Sequence, residues 1–216
     1  MIRTMAKKMK KNTEITYLFV DIGGVLLTDG WSHDAGKLAA REFGLSAKQL
    51  QKRHDEALDT YELGKITLEE YLRQVVFYEK RPFTPAQFRD FMFAQSKPYP
   101  EMIELLRRLK ARYGLKIVVV SNEGHGLNEY RIRKFKLAEF VDFFISSCVV
   151  GLRKPDADIF RLALGVASVA ARRVVYIENT MMFVEVAESL GIRSILHTDY
   201  KSTCAKLASL GLEVGE

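Results

Sequence analysis

Near-continuous apolar runs of four to six residues alternate along this chain with stretches in which apolar residues recur every three or four positions. The first pattern suits strands buried on both faces of a sheet, and the second suits amphipathic helices. Strands are therefore expected over 15–20, 115–120, 142–146, 174–177 and 193–196. Helices are expected over 100–112, again after the second strand through Lys136, and over 155–164, 180–190 and 200–210. Regular alternation of the two kinds predicts a parallel α/β sheet.

One stretch breaks the alternation. Residues 31–96 hold no strand signal but several helix punctuation marks. Ser46 with Gln49, Thr67 with Glu70 and Thr84 with Gln87 each have capping-box spacing, and Pro85 stands at a first helical position. Gly44 and Gly64 stand where helix C-terminal glycines belong. The expected organisation is a tail over 1–14, a sheet core over 15–30 and 97–216, and four short helices over 31–96 entered after the first strand.

Composition narrows the picture. A chain of 216 residues suffices for a full core without staples. Two cysteines far apart, Cys148 and Cys204, form neither a disulfide framework nor a zinc pattern, which fits a reducing, cytoplasmic setting. No apolar run approaches membrane-spanning length, and the start lacks a secretory apolar region. Of the net charge of +6, five units come from Arg3, Lys7, Lys8, Lys10 and Lys11, so the remainder is near neutral and nucleic-acid binding is not expected. Arg107–Arg108 and the basic run from Arg131 to Lys136 read as solvated helix faces.

Three expected strands end in polar residues: Asp21, Ser121–Asn122 and Glu178–Asn179. In open parallel sheets, ligands bind beyond the carboxyl ends of the strands. A carboxylate there followed by Gly23 and Gly24 suits a site where a backbone N–H approaches an anion.

The segments FVDIGGVL (19–26), VVVSNEG (118–124), GLRKPDADIF (151–160) and VVYIENTMMFVEVAESLGI (174–192) together resemble the four ordered motifs of the haloacid dehalogenase (HAD) superfamily. The resemblance covers about residues 15–29 and 98–210. It implies a Rossmann-like parallel core with an all-α cap inserted after the first strand. It also implies a magnesium-dependent phosphatase acting on a small phosphorylated metabolite. By the same resemblance Asp21 is the nucleophile that forms an aspartyl-phosphate, and Lys154 offsets the charge. Gly23, Gly24, Ser121 and Asn122 would hold the phosphoryl group. Asp21, Glu178, Asn179 and the Gly23 carbonyl would hold Mg2+. Trp31 and His33 fall where the substrate-facing cap loop begins, and His33 is a candidate for proton transfer.

Three positions depart from that pattern. Gly23 stands where phosphatases of the family carry a second acid, so a preference for good leaving groups is expected. Asn179 replaces a metal-site aspartate. Met182 and Phe183 replace a polar partner of Lys154, leaving it fewer contacts, and with Met181 they read as helix packing. The alternative is a catalytically degenerate HAD-fold protein acting as a binding or interaction module. The dehalogenase branch lacks support, because its Tyr-Gly pair is missing. The phosphonate-cleaving branch needs a cap lysine, and nothing marks Lys37 or Lys65 as one.

Overall fold

The computed structural model describes residues 14–213, so the basic residues that open the chain lie outside it. Five parallel strands form one sheet in the order β3-β2-β1-β4-β5. They are β1 (Tyr17–Val20), β2 (Lys116–Ser121), β3 (Phe143–Ser146), β4 (Val174–Glu178) and β5 (Arg193–Leu196). The sequence places all five, with ends shifted by at most two residues.

Helices cover both faces, which is why the strands read as unbroken apolar runs. On one face, α5 (Pro100–Tyr113) and α10 (Tyr200–Ser209) enclose a core containing Leu18, Val20, Leu106, Val119, Ile177 and Leu207. On the other, α8 (Ala157–Ala167) and α9 (Met181–Ser189) enclose Phe19, Val118, Phe160, Tyr176 and Ala187. Helix α8 begins two residues later than its sequence suggests. Asp156 caps it through the Asp158 N–H, which leaves Lys154 and Pro155 in the preceding loop. Three short helical elements escape the sequence pattern altogether: α7 (Ser147–Val150) and 3-10 turns at Leu137–Glu139 and Ala171–Arg173. Helix α6 (Leu127–Lys134) follows β2.

Between β1 and α5 run four helices: α1 (His33–Glu42), α2 (Ala47–Glu62), α3 (Leu68–Val75) and α4 (Pro85–Ala94). They share their own apolar cluster, including Leu50, Tyr71, Leu72, Val76, Phe88 and Met92. Both reciprocal capping boxes, Thr67 with Glu70 and Thr84 with Gln87, form as the spacing implies. The third is one-sided: Ser46 accepts from the Gln49 N–H, but Gln49 returns no bond to the backbone. Among the described residues no helix is long and apolar enough to cross a membrane.

Edge strand β3 is tied down by one side chain. Asp142, just before it, accepts from the Ile117 N–H at 2.9 Å, from Lys110 Nζ at 2.6 Å and from Lys116 Nζ at 2.8 Å. Burial raises its pKa, but these donors outweigh burial and leave it below the ordinary carboxylate value. A depressed folded pKa means stability present above the unfolded value, about pH 4, and lost as pH falls through the folded one. Asp142→Asn is therefore expected to cost about 1–2 kcal/mol at pH 7 and less at about pH 3. Urea unfolding at both pH values checks this, and equal losses at the two would contradict it.

Candidate active site

The sheet order places β2, β1 and β4 side by side at the centre. Val20 pairs in register with Val119 and with Ile177. Asp21 therefore emerges from the middle strand level with the end of each neighbour. The sheet continues to that point, since the Asp21 N–H donates to the Ile177 carbonyl at 3.1 Å. Ser121 closes β2 and Glu178 closes β4, both buried. Three of the expected residues thus converge because the register brings them together.

Lys154 completes the cluster from the loop before α8. Its ammonium is 1% exposed and lies 3.1 Å from Asp21 Oδ1 and 2.6 Å from Glu178 Oε2. It also reaches the Tyr176 hydroxyl at 3.2 Å and sits 4.8 Å from the centre of the Phe183 ring. Burial acts to lower its pKa, but the charges of Asp21 and Glu178 win and hold it above the ordinary lysine value. The expectation that Lys154 is short of partners is therefore corrected, because Phe183 supplies a π-face where a polar partner was looked for. The packing reading of the neighbouring methionines is corrected too. Met181 is 52% and Met182 56% exposed.

Asn122 has a different place from the one expected. Its amide nitrogen donates to the Lys154 carbonyl and its amide oxygen accepts from the Lys154 N–H, at 2.9 and 2.8 Å. The side chain is thus fully used in clamping the lysine loop, which makes Asn122 a positioning residue for Lys154. Ser121 Oγ faces Glu123 Oε1 at 3.5 Å. Gly24 has a φ of +68°, and a Cβ there would come within 2.0 Å of the Asn179 amide, so the position admits only glycine.

Asn179 lies between two oxygens. Its amide nitrogen, assigned from the hydrogen-bond pattern, donates to Glu178 Oε1 at 2.8 Å and to the Gly23 carbonyl at 3.3 Å. Turning the amide over brings its oxygen to face those same two oxygens, an arrangement favourable only around a cation. Among the described residues no three His, Cys, Asp or Glu side chains gather into a metal cluster. The donor set is instead two carboxylates, one amide and one carbonyl. All are hard oxygen donors, which suits a magnesium ion retaining several waters.

The remaining expected residues are spread more widely. Trp31 lines the cleft below the four helices, but its indole N–H turns into the helical layer and donates to the Tyr71 hydroxyl at 2.7 Å. His33 is exposed at the first residue of α1.

Sequence reasoning missed three residues. Arg131 does not lie on a solvated face. It is buried in an ion pair with Glu123 at 2.5 Å, each side chain 2% exposed. The same guanidinium donates to the Asp29 carbonyl at 2.7 Å, the Thr28 carbonyl at 3.2 Å and Ser96 Oγ at 3.1 Å. Gly30 makes room for it, since a Cβ there would lie 1.9 Å from the guanidinium. The third missed residue is Asp29, whose carboxyl lies beside Gly23 and Gly24. Burial and the Asp21 charge raise its pKa, against the pull of Arg131. The signal for Arg131 was present, because it lies four positions after buried Leu127 on the same helix face.

The fold is a parallel α/β sheet that gathers polar side chains at the carboxyl edge of its central strands. The chain belongs to the haloacid dehalogenase-like hydrolase family, whose model matches residues 15–191. It is 24% identical over 214 residues to flavin mononucleotide hydrolase 1 of Arabidopsis thaliana, covering 96% of this chain and 82% of that one. It is 24% identical over 196 residues to the sesquiterpene phosphatase astK of Aspergillus oryzae, covering 88% of this chain and 93% of the other. A HAD family enzyme from Bacteroides thetaiotaomicron, solved with magnesium and inorganic phosphate, shares the fold at a TM-score of 0.71. Identity is 18%, over 88% of this chain and 98% of that one.

Proposed function

We propose that this hydrolase is a magnesium-assisted phosphatase acting on a small phosphorylated metabolite through an aspartyl-phosphate at Asp21. The observation that carries the reading is the Lys154 ammonium held between Asp21 and Glu178 at the ends of adjacent strands. A carboxylate is a weak nucleophile and must be oriented and relieved of charge repulsion before it approaches a phosphate dianion. Lys154 does both for Asp21, and the Ile22 N–H fixes the carboxylate further by donating to Oδ1 at 2.9 Å. Ser121 and the glycine-rich turn at 23–24 supply donors for the phosphoryl oxygens. Two relatives whose names are those of phosphate-ester hydrolases support the class.

The oxygens of Asp21, Glu178, Gly23 and Asn179 would hold the magnesium ion, which when bound offsets the charge gathering on the phosphoryl group. Asn179 weakens that site in two ways: it removes a negative charge, and its amide already satisfies Glu178 and Gly23. Asn179→Asp is therefore expected to tighten magnesium binding about tenfold or more and to lower the melting temperature of the metal-free protein. Titration calorimetry with magnesium alone reads this, and unchanged affinity would remove Asn179 from the site.

Helices α1–α4 act as a cap over the strand ends. Helix α2 supplies the contacts: Arg153, next to Lys154, pairs with Asp59 and Glu62 at 2.6 and 2.7 Å, and the Tyr61 hydroxyl donates to the His125 carbonyl at 2.5 Å. The cleft beneath is about 50 Å³, so larger substrates require the cap to lift. The test is phosphate release from a panel of phosphorylated metabolites and an aryl phosphate, with and without magnesium. Magnesium-dependent turnover is expected. Its absence across the panel would favour a binding or interaction module on the same fold.

A further inference from the structure

Resting on the phosphatase reading, we propose that Asp29 is the group that exchanges protons with the leaving oxygen and with the attacking water. Ester cleavage at Asp21 needs such a group, because an alkoxide leaves poorly without a proton and water attacks slowly without losing one. The side chain two positions after the nucleophile, Gly23, carries none.

The chain path brings Asp29 back to this place. Gly23 bridges Leu27, and Leu27 in turn bridges Pro98, so the segment after the nucleophile folds over itself. Asp29 Oδ1 then lies 3.4 Å from where a Cβ on Gly23 would stand, and 3.0 Å from that of Gly24. The carboxyl thus occupies the side of the turn that the two glycines leave open. It lines the small cleft together with Trp31, Tyr61 and Asn122.

The other acids around the cleft are engaged. Glu62 is paired with Arg153, Glu123 with Arg131, and Glu178 with Lys154. Asp29 forms no side-chain ion pair among the described residues, and it is exposed to the cleft rather than sealed in. Its backbone is nonetheless fixed, since its carbonyl accepts from the buried Arg131 at 2.7 Å. A carboxyl open to the cleft on a held backbone is the geometry the reaction asks for.

The chemistry balances with this residue alone. An Asp21 oxygen bonds to phosphorus as the ester P–O bond breaks. That electron pair goes to the leaving oxygen, which takes the Asp29 proton and departs as the alcohol. Water then attacks the phosphorus and gives a proton to the Asp29 carboxylate. The bond to Asp21 breaks, its electron pair returns to the carboxylate, and inorganic phosphate leaves.

The test is the leaving-group dependence of Asp29→Asn, with Asp29→Glu as a second variant. Single-turnover rates are measured on an alkyl phosphate that the wild type hydrolyses and on p-nitrophenyl phosphate, with magnesium affinity by calorimetry as control. Alcohol release from the alkyl ester is expected to fall about 10²- to 10⁴-fold in Asp29→Asn. The nitrophenolate burst should stay within about tenfold of wild type, followed by slow steady turnover as phosphoenzyme accumulates. Asp29→Glu should recover part of the alkyl rate. Equal losses on both esters, no loss on either, or a fall in magnesium affinity that accounts for the change would each overturn the role of Asp29 while leaving the phosphatase intact. A wild type that releases phosphate from neither ester would overturn the phosphatase reading itself, and the role of Asp29 with it.

Discussion

Asp21→Asn is expected to lower kcat by about 10⁴-fold or more, because an amide cannot serve as the attacking oxygen and no other carboxylate stands at the end of β1. The protein should remain folded. Asp21 pairs with Lys154, but its charge also pushes against Glu178, Asp29 and the Tyr176 hydroxyl. Removing that charge leaves Lys154 paired with Glu178 alone, which is the better-formed contact at 2.6 Å. A melting temperature unchanged or slightly raised is therefore expected alongside lost turnover. Steady-state phosphate release, acid-quench trapping of phosphoenzyme and thermal unfolding measure the three quantities. Turnover above about one per cent of wild type would remove Asp21 from the nucleophile's position.

The strand ends were legible in the sequence because a parallel sheet fixes what lies at its carboxyl edge. Asp21, Ser121 and Glu178 each follow an apolar run, and the register of neighbouring strands brings them together. Lys154 was legible only through its motif, since it comes from a loop whose position depends on Asn122. What the sequence hid are contacts made across long separations by side chains of ambiguous type. Arg131 sits in a basic run that looks solvated, yet it reaches residues about a hundred positions earlier. Asp29 looks like an ordinary Asp-Gly turn until the chain reversal at 23–27 is known. Phe183 looks like a packing residue, and its use as a face for an ammonium appears only once Lys154 is placed. Periodicity reports which face is buried; it does not report which partner a buried polar group finds.

Arg131→Met is expected to destabilise the protein by about 3–5 kcal/mol, since it leaves Glu123 buried without a counter-charge. Burial alone already raises the pKa of Glu123, and Arg131 is the group that opposes this. The double variant Glu123→Gln with Arg131→Met should recover most of the loss, because no charge is then stranded. Denaturant unfolding of the two single variants and the double closes the cycle. A double variant whose loss equals the sum of the singles would show that the pair is not coupled. The activity of the double variant should stay low even where its stability returns. Arg131 donates to the Thr28 and Asp29 carbonyls on the chain leaving the sheet, and to Ser96 on the chain coming back. Both crossings between core and helical layer are thus fixed by one guanidinium, which Glu123 in turn holds beside Ser121. Methionine cannot replace those donors, so the Asp29 backbone loses its anchor while the core regains its charge balance. Stability and turnover therefore separate in this variant, and their separation distinguishes a residue that positions the site from one that merely fills the interior.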